Sequence, residues 1–137
     1  MPVEKLFPAN LPSAVEGLPP VVVATGRRTY YFTGQTALDA NGELVGDTIE
    51  EQALQVFRNL EATAAAVGVT FADVAQIRFH IVADDFQAGL EQVGAAAVRY
   101  AGGGGSFIGE QPAATMVAVS SLHLGALIEV DMIAVLD

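Results

Sequence analysis

Two amphipathic helical segments separated by an alternating strand constrain the fold of this chain more than any other feature of its sequence. Apolar residues recur at helical spacing through residues 49–67 and again through residues 86–100. Residues 74–82 instead alternate between apolar side chains and polar ones such as Arg78 and His80. This order predicts a sheet with both helices packed on one of its faces.

The remaining apolar runs complete one α+β domain over residues 1–137. β-branched and aromatic residues predict further strands at 21–24, 29–33, 114–121 and 126–136. The element order is then ββαβαββ, and we expect the first two strands to form a hairpin. Residues 1–20 contain five prolines and are interpreted as an irregular N-terminal arm.

Short polar motifs mark the expected ends of the helices. Asp47 and Glu50 have capping-box spacing at the start of the first helix, and Gly68 is its expected stop. Asp85 is placed to cap the second helix, which we expect to end at the four glycines that begin with Gly102. A loop to residue 112 should follow.

One face of the predicted five-stranded sheet lacks a cover, because two helices shield only the other. Apolar residues are expected on this uncovered face, and they are Val117 or Met116, Leu127, Ile133 and Val135. The chain is 52% hydrophobic and only 16% charged, which also suits a surface buried against another copy. We therefore expect an oligomer.

Charge and composition disfavour several classes of function. With 16 acidic and 6 basic residues, the net charge of −10 opposes binding to nucleic acids and to anionic membranes. The chain shows no signal peptide and no apolar run of about 18 residues, the length of a membrane span. It contains no cysteine, which suits a cytoplasmic location and excludes thiolate chemistry.

The polar residues of two strands are the candidates for chemistry. Glu129 and Asp131 share one face of the last strand, and Arg78 and His80 share one face of the middle strand. If these faces coincide, the cluster is either a salt-bridge network between subunits or the setting for Glu129 as a general acid or base. The two histidines have no metal-ligand spacing, and we expect neither a metal nor another cofactor.

Five segments carry a resemblance to a known family. Residues 31–37, 41–45, 52–59, 112–117 and 128–135 follow in the order and spacing of the Rid family. These proteins are reactive intermediate deaminases, also called YjgF or L-PSP endoribonuclease-like proteins. The resemblance implies a chorismate-mutase-like α+β fold, with a mixed sheet and two helices on one face. It also implies a homotrimer with small-molecule clefts between its subunits.

The resemblance implies roles for individual residues as well. The family hydrolyses enamines and imines to keto acids and ammonia. Glu129 matches the glutamate that positions the water, and Thr33 and Gly34 match substrate-binding positions. Ala114 stands where the family has the arginine that clamps the substrate carboxylate, and Met116 follows two residues later. The chain therefore resembles an arginine-less subgroup, for which ordinary amino-acid-derived imines are poor substrates.

Two functional hypotheses remain open from the sequence. In the first, the protein hydrolyses a neutral imine or enamine, with Glu129 as the catalytic residue. In the second, it is a trimer that binds a metabolite or a partner without catalysis. The ribonuclease activity suggested by the family's older name is disfavoured by the net charge of −10.

Overall fold

The computed structural model describes residues 2–11, 17–105 and 111–137, and in these ranges it contains six strands and two α-helices. The strands are β1 (Val3–Leu6), β2 (Val21–Ala24), β3 (Arg28–Gln35), β4 (Val74–Ile81), β5 (Ala113–Ala118) and β6 (Ile128–Leu136). The helices are α1 (Ile49–Ala66) and α2 (Phe86–Gly102). The prediction of an α+β fold is confirmed.

Strand β6 lies inside a four-stranded sheet of order β3-β6-β4-β5. It runs antiparallel to both of its neighbours, whereas β4 and β5 are parallel because α2 carries the chain across between them. The last two strands are therefore not adjacent, although only a short connection joins them. The sheet is mixed, as the resemblance implied.

The alternating residues of the sheet divide it into two faces. Ile77, Phe79 and Ile81 of β4 are buried in one core with Val130 and Met132 of β6. The buried residues of both helices belong to the same core, so the helices cover this inner face. On the opposite, outer face, the alternation places Val117 and not Met116, because Met116 pairs in register with buried Phe79.

The N-terminal arm differs from the expectation. Val3–Leu6 forms β1, which pairs antiparallel with β2 in a separate two-stranded sheet. The predicted hairpin between the strands at 21–24 and 29–33 is therefore wrong, and so is the irregular arm where β1 lies. β2 pairs with β1 outside the main sheet, which therefore has four strands and not the predicted five.

Helix α1 begins one residue later than the sequence analysis predicted. Thr48 is the N-cap, since its Oγ1 accepts a hydrogen bond from the Glu51 backbone N–H at 3.1 Å. The Glu51 carboxylate accepts in turn from the backbone N–H of Asp47 at 2.8 Å. The pair Thr48 and Glu51 has the same capping-box spacing as Asp47 and Glu50, so the sequence alone fits a helix start at either position.

The predicted caps at Gly68 and Asp85 are confirmed. Residues 106–110 of the predicted loop lie outside the described residues.

Two amide side chains attach α1 to the loop in front of it. Gln52 is only 2% exposed; its Nε2 donates to the Gly46 carbonyl at 3.1 Å, and its Oε1 accepts from the Leu127 backbone N–H at 2.8 Å. Asn59 Nδ2 donates to the carbonyls of two loop residues, Thr36 and Leu38. These bonds give partners to backbone carbonyls of the loop that lie outside the strands and helices. The bond from Leu127 to Gln52 also holds the chain in place just before β6 begins.

Replacing Gln52 tests this attachment. In Gln52→Leu the Leu127 N–H and the Gly46 carbonyl lose their partner, and each unsatisfied buried group costs about 1–3 kcal/mol. We expect urea unfolding to show a loss of roughly 2–5 kcal/mol, while Gln87→Leu on the exposed side of α2 changes stability by less than about 0.5 kcal/mol. Equal stability of the two variants would contradict the proposed attachment.

Candidate functional site

The outer face of the sheet brings the predicted polar residues of β4 and β6 together. In the strand register Arg78 lies opposite Asp131, and His80 lies opposite Glu129. Directly opposed side chains on one face of an antiparallel pair are close enough to interact. The condition stated from the sequence, that the two polar faces coincide, is therefore met.

Arg78 and Asp131 form the ion pair of this cluster. Arg78 Nε lies 2.8 Å from Asp131 Oδ1, and the side chains are 53% and 17% exposed, respectively. A pair with one partner this exposed contributes little to the stability of a single subunit. If another subunit covered the face, the attraction within the pair would strengthen, but both charges would lose their hydration.

The hydrogen bond of His80 defines which of its nitrogens is basic. His80 Nδ1 lies 3.2 Å from the backbone carbonyl oxygen of Glu129 and 3.9 Å from Asp131 Oδ2. A carbonyl oxygen can only accept, so Nδ1 carries the hydrogen in this contact. The neutral ring then keeps its lone pair on Nε2, which is the nitrogen available to another group.

The carboxylate of Glu129 rests on Gly34 of the neighbouring strand. A Cβ atom at Gly34 would lie 2.8 Å from Glu129 Cδ and 3.0 Å from Oε2, closer than real Cβ contacts. The pairing of β3 with β6 shifts between Phe32 and Gln35, so a bulge carries Thr33 and Gly34. The bulge and the missing Cβ leave room for this carboxylate, which is only partly exposed.

The three other predicted site residues lie in two places. Thr33 is exposed in the bulge beside Gly34, next to Glu129. Ala114 and Met116 share the inner side of the edge strand β5, since they pair with Ile77 and Phe79. Within one subunit they therefore lie on the opposite face of the sheet from Glu129. Their role in substrate binding stays a prediction.

Sequence reasoning overlooked Thr115, which shares the face of Glu129 with Val117, a residue that it did expect there. Thr115 and Val117 of β5 pair with Arg78 and His80. The alternation of β5 was the signal that could have identified Thr115, but the family motif drew attention to its neighbours Ala114 and Met116. Thr115 adds a hydroxyl group beside the ion pair, and Val117 adds an apolar surface that is 40% exposed.

The described residues hold no group of three or more His, Asp or Glu side chains suited to a metal ion. None of the helices in these parts of the chain is long and apolar enough to cross a membrane.

The described residues thus form an α+β fold with a mixed four-stranded sheet, two helices on the inner face of the sheet, and a glutamate supported by a bulge on its outer face. A model of the family described as Endoribonuclease L-PSP matches residues 9–136. The chain therefore belongs to the L-PSP family, which includes the Rid proteins.

Individual relatives agree with this assignment. Protein DfrA of Myxococcus xanthus is 36% identical over 117 residues, which are 84% of this chain and 81% of DfrA. YyfB from Yersinia pestis, a protein of unknown function of the conserved Rid protein family, is 29% identical in sequence to this chain. Its crystal structure superposes with a TM-score of 0.82, over 99% of this chain and 100% of YyfB. A crystallised putative endoribonuclease from Thermotoga maritima is 28% identical with a TM-score of 0.67, over 98% of both chains.

The contact between Gly34 and Glu129 can be tested by adding the missing Cβ. In Gly34→Ala the new methyl group should displace the Glu129 carboxylate, which a crystal structure of the variant would record. The far end of a flexible side chain can move, so we expect a stability loss below about 1 kcal/mol. Gly94→Ala on α2 is the control, because its Cβ meets nothing within 4 Å. A carboxylate that stays in place in Gly34→Ala would contradict this account of the site.

Proposed function

We propose that this protein hydrolyses a small neutral imine or enamine at Glu129, in clefts between the subunits of a homotrimer. The observation that carries the proposal is the Glu129 carboxylate, which lies on the outer face of the sheet against a glycine that leaves room for it. A carboxylate in an otherwise apolar strand needs either partners or a task. Membership of the family adds support, because Glu129 matches the glutamate expected to position the water.

The proposed chemistry needs one group that exchanges a proton with water. As a water oxygen attacks the imine carbon, the Glu129 carboxylate takes a proton from that water and the imine nitrogen takes a proton from solvent, which yields a neutral carbinolamine. Glu129 then gives its proton to the nitrogen and takes up the hydroxyl proton as the carbon–nitrogen bond breaks, so that a carbonyl compound and ammonia or an amine leave. An enamine enters the same route after protonation on carbon. His80 lies opposite Glu129 on the neighbouring strand, so its Nε2 lone pair is a second proton acceptor on the same face.

The choice of a neutral substrate rests on Ala114, which would have to reach the Glu129 cleft from a neighbouring subunit, since within one subunit it lies on the inner side of β5. A carboxylate bound in a cleft needs a charged or hydrogen-bonding partner, and an alanine methyl group supplies neither. Losing such a contact costs on the order of 2–5 kcal/mol when a buried charge is left unpaired. Substrates with a carboxylate beside the imine should therefore react slowly.

The trimer is supported by the apolar side chains of the outer face. Tyr31 pairs in register with Ile133 and is 78% exposed in the single chain, and Val117 is 40% exposed on the same face. Apolar side chains gathered on one face of a sheet are typical of a surface that another subunit covers. A cleft between copies would also remove Glu129 from bulk water.

The alternative is a trimer that binds a metabolite or a partner without turning it over. Ala114 favours it, since a deaminase without its carboxylate clamp can keep the cleft while losing the reaction. The two hypotheses differ in turnover, not in the position of the ligand.

A panel of imines with and without a carboxylate separates these hypotheses. We expect the wild type to release ammonia faster from the neutral imines, and Glu129→Gln to lower that rate by roughly 10²–10⁴-fold, the usual contribution of a general acid or base. Glu91→Gln on the exposed side of α2 is the control and should keep the wild-type rate. Unfolding curves should show both variants within about 0.5 kcal/mol of the wild type.

Three other outcomes of these measurements would contradict hydrolysis at Glu129. Saturable binding of neutral imines with no turnover would support the non-catalytic trimer. A large stability loss in Glu129→Gln would identify Glu129 as a structural ion-pair partner. Full turnover in that variant would remove Glu129 from the mechanism.

A further inference from the structure

Arg78 is a basic side chain beside the Glu129 site that the proposed reaction does not use. In its contact with Asp131 the guanidinium donates from Nε, at 2.8 Å to Oδ1. A guanidinium carries five N–H donors, so the donors on Nη1 and Nη2 remain. Neither terminal nitrogen has a hydrogen-bond partner among the residues that the structure describes. Arg78 therefore presents two unpaired terminal nitrogens on the outer face of the sheet.

The free end of Arg78 lies within the length of a small molecule from Glu129. Arg78 and Asp131 face each other one pleat away from His80 and Glu129, in the same register. Two residues along a strand span about 7 Å, roughly the length of a chain of five bonds. A short ligand with its reacting carbon at Glu129 can therefore extend to the guanidinium.

The charges around Arg78 decide which acceptor it suits. Besides His80, the strands β4, β5 and β6 carry only three ionisable side chains, which are Arg78, Glu129 and Asp131. A ligand carboxylate at the guanidinium would also lie near the Asp131 carboxylate, and like charges repel. An uncharged oxygen, such as that of a carboxamide, accepts the same hydrogen bonds without this repulsion.

A covered cleft would leave the guanidinium in need of such an acceptor. Arg78 is 53% exposed in the single chain, so water can reach its terminal N–H groups there. If another subunit covers the outer face, as proposed above, water is excluded and unpaired donors carry a desolvation cost. A ligand oxygen that binds Nη1 and Nη2 offsets this cost.

We propose that Arg78 is a specificity-determining residue of the Glu129 cleft, and that it selects neutral ligands with a carboxamide-type oxygen about five bonds from the reacting carbon. The terminal N–H groups of Arg78 donate to this oxygen. Asp131 holds the guanidinium in place and disfavours a carboxylate at the same position. This inference rests on the proposed function, because it names the substrate class of the same cleft.

Three ketones, the stable products of such imines, test the selection on the full chain without requiring turnover. Each is a methyl ketone with three methylene groups, and the chain ends in a carboxamide, a carboxylate or an isopropyl group. In titration calorimetry we expect the carboxamide to bind roughly tenfold more tightly than the other two, a difference of about 1.4 kcal/mol. For the matching imines, the preference should appear in KM and not in kcat.

Two substitutions separate the roles of the ion pair. Arg78→Met should remove the preference for the carboxamide and leave the affinity for the isopropyl ketone unchanged. Asp131→Asn keeps the guanidinium and removes the repelling charge, so the carboxylate should bind at least as tightly as the carboxamide. Arg58→Met, at an exposed position of α1 on the helical side of the sheet, is the control and should keep the wild-type order.

Equal binding of the three ketones to the wild type would overturn the proposal, as would absent binding of all three. It would also be overturned by a carboxamide preference that survives in Arg78→Met. An equal loss of all three affinities in that variant would show that Arg78 maintains the structure and selects nothing.

The variant Glu129→Gln distinguishes this inference from the proposed function. Full turnover in Glu129→Gln, with the carboxamide preference intact, would contradict hydrolysis at Glu129 and support the selection by Arg78. Loss of turnover in Glu129→Gln, with no preference among the ketones in the wild type, would overturn the selection alone.

Discussion

The pairing of β6 with β3 and β4 is the constraint on which the rest of the structure depends. Side chains of a strand alternate between its faces, so one register decides both the core and the outer surface. Val130 and Met132 are buried under the helices, and Glu129 and Asp131 consequently lie on the outer face. A slip of one residue would bury both carboxylates in the apolar core, at a high desolvation cost. The polar cluster and the hydrophobic core are therefore products of the same register.

The interactions around β6 act together to hold this register. Gln52 binds the backbone N–H of Leu127 just before the strand begins. The bulge in β3 then brings Gly34 under the Glu129 carboxylate, and Arg78 pairs with Asp131 one pleat further on. Each contact joins β6 to a different element, so the position of Glu129 is defined from several directions. This arrangement suits a residue that must be held in place for catalysis or for binding.

Much of this arrangement could be predicted from the sequence, because it follows from local patterns. The alternation in residues 74–82 and 126–136 placed Arg78 and His80 on one face of their strand and Glu129 and Asp131 on one face of theirs, but left open whether the two faces coincide. What the patterns could not predict were the long-range choices. The pairing of β1 with β2 and the bulge at Thr33 arise from contacts between distant segments, which no local periodicity encodes.

The central claim is that other copies of the chain cover the outer face of the sheet. Its most direct test is the mass of the particle in solution at micromolar concentration, measured by light scattering. The account predicts three times the chain mass of 14.2 kDa. A particle of 14.2 kDa would contradict it, because Tyr31 and Glu129 would then face water with no second subunit to complete a cleft.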